Sequence, residues 1–218
     1  MAKSTVIYVC NNCAHESSGW LGQCPNCNAW GSFEELEQLP AGASSKDLSS
    51  SSVEIVDLSS VNITDSNRLK SGVEEFDRVL GGGLVAGGVV LISGEPGIGK
   101  STLLMQVANS YMSEGIDSVY ISAEESLQQV AMRSHRLFGR DGSKVKAIAG
   151  FEVNSIIRKL QEIAPKVVII DSIQTIFDDE ARGLPGGVSQ IKHVASKLVS
   201  FAKSNGISMV LVGQITKD

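Results

Sequence analysis

The 218-residue sequence has no cysteine beyond Cys27, no excess of basic charge, and no apolar run near the roughly 18–20 residues that span a bilayer. Each absence excludes something. Without a long apolar run there is no membrane span. The opening MAKSTVIYVC also lacks the apolar stretch and small-residue cleavage site of a secretory signal, so the expected compartment is the cytoplasm. A net charge of −5 removes the broad electrostatic footprint of a nucleic-acid-coating surface, and any contact with DNA must be local. Hydrophobic residues at 42% and charged residues at 20% exclude a chain disordered throughout. The length suits one medium α/β domain with a small companion rather than two full-sized domains.

What is present is unevenly placed. Residues 1–36 hold all four cysteines and both tryptophans, which marks them as a separate metal-binding unit. Residues 37–66 are rich in serine (Ser44, Ser45, Ser49 to Ser52) and read as a linker, with one apolar patch at 53–58 suited to a strand or an extended arm. Residues 67–218 alternate between apolar β-formers and helical periodicity. Strands are expected at 89–93, 118–122, 144–149, 167–170 and 207–213, and helices at 100–112, 126–138, 153–164 and 188–204. That alternation predicts an α/β fold, a mostly parallel sheet with helices on both faces.

Between the first strand and the first helix, Gly94, Glu95, Pro96, Gly97, Ile98, Gly99, Lys100 and Ser101 fit the pattern G-x-x-x-x-G-K-[ST]. Glycines let successive N–H groups face inward as an anion nest, and the helix adds its positive N-terminal dipole. The pattern predicts a nucleotide, ATP or ADP, with Lys100 on the β/γ-phosphates, Ser101 on Mg²⁺ and Thr102 continuing the first helical turn. Asp171, at the end of an apolar strand, is the expected second Mg²⁺-side residue. Glu124 and Glu125 follow the second strand, where one of them is placed to activate water or, alternatively, to cap the next helix. Gln214 is a candidate phosphate or water sensor.

Cys10-x2-Cys13-x10-Cys24-x2-Cys27 presents two close thiolate pairs, the spacing of a tetrahedral zinc site. Two disulfides and a rubredoxin-like iron site are the alternatives. Trp20 and Trp30 flank the second pair and are expected to pack on the site, with base stacking as the other option. Arg133, Arg136 and Arg140 have the spacing of one helix face, expected to be solvated unless it meets DNA or a subunit. Arg182 and Lys217 are the better DNA-contact candidates, although Asp178, Asp179 and Glu180 oppose phosphate near Arg182. His15, His135 and His193 read as ordinary surface residues.

Taken together, stretches 8–13 (YVCNNC), 20–30 (WLGQCPNCNAW), 71–83 (SGVEEFDRVLGGG), 123–129 (AEESLQQ), 171–175 (DSIQT) and 187–190 (GVSQ) resemble the bacterial RadA (Sms) DNA-repair ATPases. The resemblance covers essentially the whole chain. It implies a RecA-like ATPase core preceded by a four-cysteine zinc ribbon, assembled as a homo-oligomeric ring, commonly a hexamer. Such a ring hydrolyses ATP between subunits and moves along single-stranded and branched DNA in recombination, with recombinase or helicase partners. It places Glu124 as catalytic glutamate, Asp171 beside Mg²⁺, and pore loops at 178–187 and from Gln214 onward. Members of that family continue into a KNRFG motif and a Lon-protease-like domain that this sequence does not contain. They also often carry Gly at the position of Ala123, His at that of Gln214, and Gly at those of Ala14 and Asn28. Two other readings remain: a nucleotide-switched DNA-binding module with little turnover, and a KaiC-like signalling ATPase.

Overall fold

The computed structural model describes residues 5–13, 15–38, 57, 68–181 and 183–214. The proposed linker lies almost wholly outside the described residues, as do Arg182 and Lys217. Two compact units are present.

The N-terminal unit is a three-stranded antiparallel sheet, an element that the cysteine spacing alone did not reveal. Its strands are β1 (Thr5–Cys10), β2 (Glu16–Ser17) and β3 (Phe33–Gln38), in the order β2-β1-β3. Among the described residues its buried apolar cluster is Cys10, Cys24 and Phe33, two of them cysteines.

The second unit opens with a small antiparallel pair, β4 (Arg68–Leu69) and β5 (Leu84–Val85), that brackets helix α1 (Glu74–Val79). It then alternates: β6 (Val89–Gly94), α2 (Lys100–Ser113), β7 (Ser118–Ser122), α3 (Leu127–Phe138), β8 (Lys146–Ala149), α4 (Val153–Ile163), β9 (Val167–Asp171), α5 (Val188–Asn205) and β10 (Ser208–Gln214). The five long strands run parallel in the order β6-β10-β9-β7-β8. β10, last in the chain, therefore inserts between the strand that feeds the glycine loop and the strand that ends at Asp171.

Helices cover both faces because the central strands are apolar on both. Along β9, Val168 and Ile170 pack with Ile156, Leu160, Val194 and Leu198 of α4 and α5. Alternate residues Val167 and Ile169 pack with Leu104, Met105, Ala108 and Tyr111 of α2. Local signals set the ends. Ser126 caps α3 in a reciprocal capping box with Gln129, so neither Glu124 nor Glu125 caps that helix. Glu152 caps α4 through the N–H groups of Asn154 (2.7 Å) and Ser155 (2.6 Å). Helix α4 stops at Ile163, one residue before the expected Ala164, which takes a left-handed backbone ahead of Pro165.

Two corrections concern charge. Arg140 does not share the α3 face, because the helix ends at Phe138 and Gly139 turns the chain at φ 75°. Asp178 does not project into solvent against phosphate. It is fully buried, with Lys197 Nζ at 2.7 Å and His193 Nε2 at 2.9 Å, which also gives His193 a partner.

Candidate nucleotide site and cysteine centre

The parallel sheet delivers the functional side chains to its C-terminal edge, where open α/β sheets bind ligands. There Gly94–Gly99 curls from β6 into α2. Gly97 and Gly99 take φ of 82° and 98°, conformations that side chains with a Cβ resist. Gly99 is the N-cap of α2, so the first free N–H groups of that helix open toward the loop. Lys100 Nζ donates to Gly94 O and Glu95 O, both at 2.8 Å, which holds the ammonium over the loop.

A cleft of about 270 Å³ beside this loop is lined by residues from separate elements, among them Lys100, Ser101, Thr102, Glu124, Asp171 and Gln214. Pro96, Gly97 and Gly99 line it as well; Gly94, Glu95 and Ile98 belong to the loop but not to its lining. Glu124 is fixed from two sides. Ser172 Oγ donates to Glu124 Oε1, and Gln214 Nε2 approaches both carboxylate oxygens at 3.0 and 3.2 Å. Of the two adjacent glutamates, Glu124 therefore faces the cleft, while Glu125 pairs with Arg133. Gln214 contacts the carboxylate rather than standing alone at a strand end.

Around Asp171 the structure adds two residues that the sequence reading did not use. Tyr120 donates its hydroxyl to Asp171 Oδ2, and Arg133 Nη1 lies 4.0 Å from the same oxygen and 3.4 Å from the tyrosine hydroxyl. Burial, reinforced by the Asp171 charge, pushes the Tyr120 hydroxyl far above its usual range and keeps it a donor. Arg133, expected on a solvated face, instead reaches back from α3 with a largely buried side chain and lines the cleft. One signal was available: Arg133 stands seven residues after the capping residue Ser126, two turns along the helix that follows β7.

In the N-terminal unit the four cysteine sulfurs all lie within 4.8 Å of one another. Cys10 and Cys27 are 3.6 Å apart, and Cys13 and Cys24 are 3.5 Å apart. Sulfurs at about 2.3 Å from a tetrahedral ion stand about 3.8 Å from each other, whereas a disulfide needs about 2.0 Å. The donor set thus fits one metal ion shared by four thiolates. Burial raises the Cys10 thiol, but hydrogen bonds from Ser32 and from backbone N–H groups outweigh it and bring it down to about 6. Burial dominates at Cys24 and pushes it up to about 11. The tryptophans do not pack on the sulfurs: Trp20 is 61% exposed and Trp30 76%.

Comparison with known proteins agrees with this division. The family model described as KaiC ATPase matches residues 69–153, and that described as rubredoxin metal binding domain matches residues 8–35. DNA repair protein RadA of Pseudomonas aeruginosa is 40% identical over all of this chain and 48% of its own length. RadA proteins of Bacillus subtilis and Mycobacterium tuberculosis are 38% and 37% identical, again over the whole chain. Over its whole length the chain is similar to RadA proteins. It spans about half the length of the curated relatives that it matches. No described helix of the chain is long and apolar enough to cross a membrane.

Proposed function

We propose that this chain is the nucleotide-hydrolysing part of a DNA-dependent ATPase that processes recombination intermediates on single-stranded and branched DNA, working in a homo-oligomeric ring. The observation that carries the reading is the joint presence of Lys100, Ser101, Asp171 and Glu124 in one cleft at the sheet edge. The relatives named for DNA repair support the substrate.

In this reading the loop N–H groups and the α2 N-terminus bind the phosphates, and Lys100 neutralises the β/γ oxygens. Ser101 and Asp171 would hold Mg²⁺, which when bound neutralises charge on the transferred phosphoryl group. Tyr120 and Arg133 position the Asp171 carboxylate. Glu124 orients the attacking water and takes up its proton, and Ser172 and Gln214 hold the carboxylate in place for that step. In the cysteine centre Zn²⁺ is the ion that four thiolates in this geometry favour.

The test is steady-state Mg-ATP hydrolysis by the chain with and without single-stranded DNA. Stimulation by DNA is expected, and Lys100→Ala should abolish turnover while leaving a full equivalent of bound zinc. Turnover indifferent to DNA would overturn the DNA-coupled reading in favour of a KaiC-like signalling ATPase. Nucleotide binding without turnover would favour a nucleotide-switched module.

A further inference from the structure

Trp20 and Trp30 are the only tryptophans of the chain, and both stay open to solvent. Their backbone is nonetheless fixed. Gln23 and Trp30 pair in an antiparallel bridge, Gly31 N–H donates to Gly22 O (2.8 Å), and Gln23 Nε2 donates to Asn28 O (3.1 Å). The six-membered rings of both indoles reach the space over Gly22. A Cβ built there would lie 3.8 Å from Trp20 Cη2 and 3.8 Å from Trp30 Cζ3, ordinary van der Waals contact with each. Both indoles thus lie close against Gly22, while most of their surface stays open to solvent.

A flat group can stack on such exposed indoles in two chemistries. A nucleic-acid base stacks on indole, and a guanidinium binds it by cation–π attraction. Charge separates the two. From Thr5 to Gln38 the sequence contains no lysine and no arginine, only Lys3 precedes that span, and four glutamates lie within it: Glu16, Glu34, Glu35 and Glu37. Glu16 and Glu35 are exposed. A base brings a phosphate backbone that has to be met by cationic side chains, and this unit has almost none to offer. A guanidinium is drawn by the indole quadrupoles and by the carboxylates alike.

We propose that Trp20, Gly22 and Trp30 form a docking site for an arginine side chain presented by a basic segment of a partner protein. Because no other tryptophan exists, intrinsic fluorescence reports on this surface alone. In the metal-loaded chain, an oligo-arginine peptide is expected to change the tryptophan emission saturably, an oligo-lysine peptide to do so more weakly, and oligothymidylate to leave it unchanged. A response to oligothymidylate as large as that to oligo-arginine would make this a base-stacking surface and overturn the proposal, as would no response to either. Two variants separate the indoles from simple attraction to carboxylates. Trp30→Ala removes one ring and keeps Trp20 as reporter, and Gly22→Leu crowds the two rings apart while keeping both. Each should weaken binding of a labelled oligo-arginine peptide, read by anisotropy, by about two- to thirtyfold, the range of a cation–π contact from exposed to desolvated. Unchanged affinity in both variants, at full metal content, would overturn the proposal.

Discussion

The cysteine unit and the ATPase unit answer the problem of stability in opposite ways. In the first, the buried apolar residues among those described amount to Cys10, Cys24 and Phe33, and the tryptophans that a larger domain would bury stay outside. In the second, two clusters on opposite faces of one sheet bury the central strands completely; Val167, Val168, Ile169 and Ile170 show no exposed surface at all. The described residues of the cysteine unit, 5–13 and 15–38, remove little apolar surface from water to offset chain entropy, a deficit that a metal ion on the four thiolates would make up. The consequence reaches function. The unit held by metal is free to keep its large aromatics at the surface, while the unit held by packing confines its polar chemistry to one edge.

Removing the metal should break this contrast most visibly. Structural zinc contributes about 10–16 kcal/mol of apparent binding free energy to small modules, as much as the whole stability of many domains. Chelation, or Cys24→Ser, is expected to unfold the N-terminal unit and shift the tryptophan emission, which comes only from that unit. The thermal transition of the ATPase unit, followed by far-ultraviolet circular dichroism, should stay where it was. Retention of a full metal equivalent by Cys24→Ser would contradict a four-thiolate site.

The converse is smaller and equally specific. Ile169→Ala opens a cavity in the middle of β9, where the side chain is fully buried against α2. It should cost about 2–5 kcal/mol, measured by urea denaturation, without changing metal content. If metal affinity falls in parallel, the two units do not fold independently.

How far this was legible in the sequence follows the same division. Apolar runs such as 167–170 act locally, so the five long strands and four long helices from residue 89 onward were placed to within a residue or two, whereas the short β4, α1 and β5 before them were not anticipated. Glycine-loop and cysteine spacing were legible because each motif is short and mechanically constrained. Arg133 was not, because an arginine among polar helix positions looks solvated until the fold brings β7 and β9 beside it. Asp178 misled for the same reason: its partners Lys197 and His193 are a whole loop away in sequence. The tryptophans misled in the other direction, since large aromatics are usually buried and here the unit is too small to cover them.

Asp178 also supplies the smallest of the expected differences between the two units. Its carboxylate oxygens take hydrogen bonds from Lys197 Nζ (2.7 Å), the Glu180 N–H (3.0 Å) and Asn154 Nδ2 (3.1 Å), and Gln190 is bonded to its backbone on both sides. Burial alone would raise this carboxyl, but the bonds from Lys197, Glu180 N–H and His193 outweigh it and hold the group at about 2 against an ordinary 3.8. A carboxylate depressed in the folded state stabilises that state fully above its unfolded value and loses the contribution as pH falls toward the folded one. The ATPase unit should therefore lose stability between about pH 4 and pH 2, reported by urea midpoints across a pH series. Asp178→Asn cannot titrate, so its midpoints should be lower at neutral pH, where Lys197 loses the nearer of its two carboxylate partners and keeps only Glu180 at 3.7 Å, and flatter across that acid window. Parallel slopes in the parent and the variant would show that this carboxylate does not set the acid limb. The cysteine unit should respond to acid by another route, because protons compete with the metal for thiolate sulfur. Metal release and the urea midpoint of the ATPase unit should then follow different pH curves, and a single shared curve would mean that one unit's collapse drives the other's.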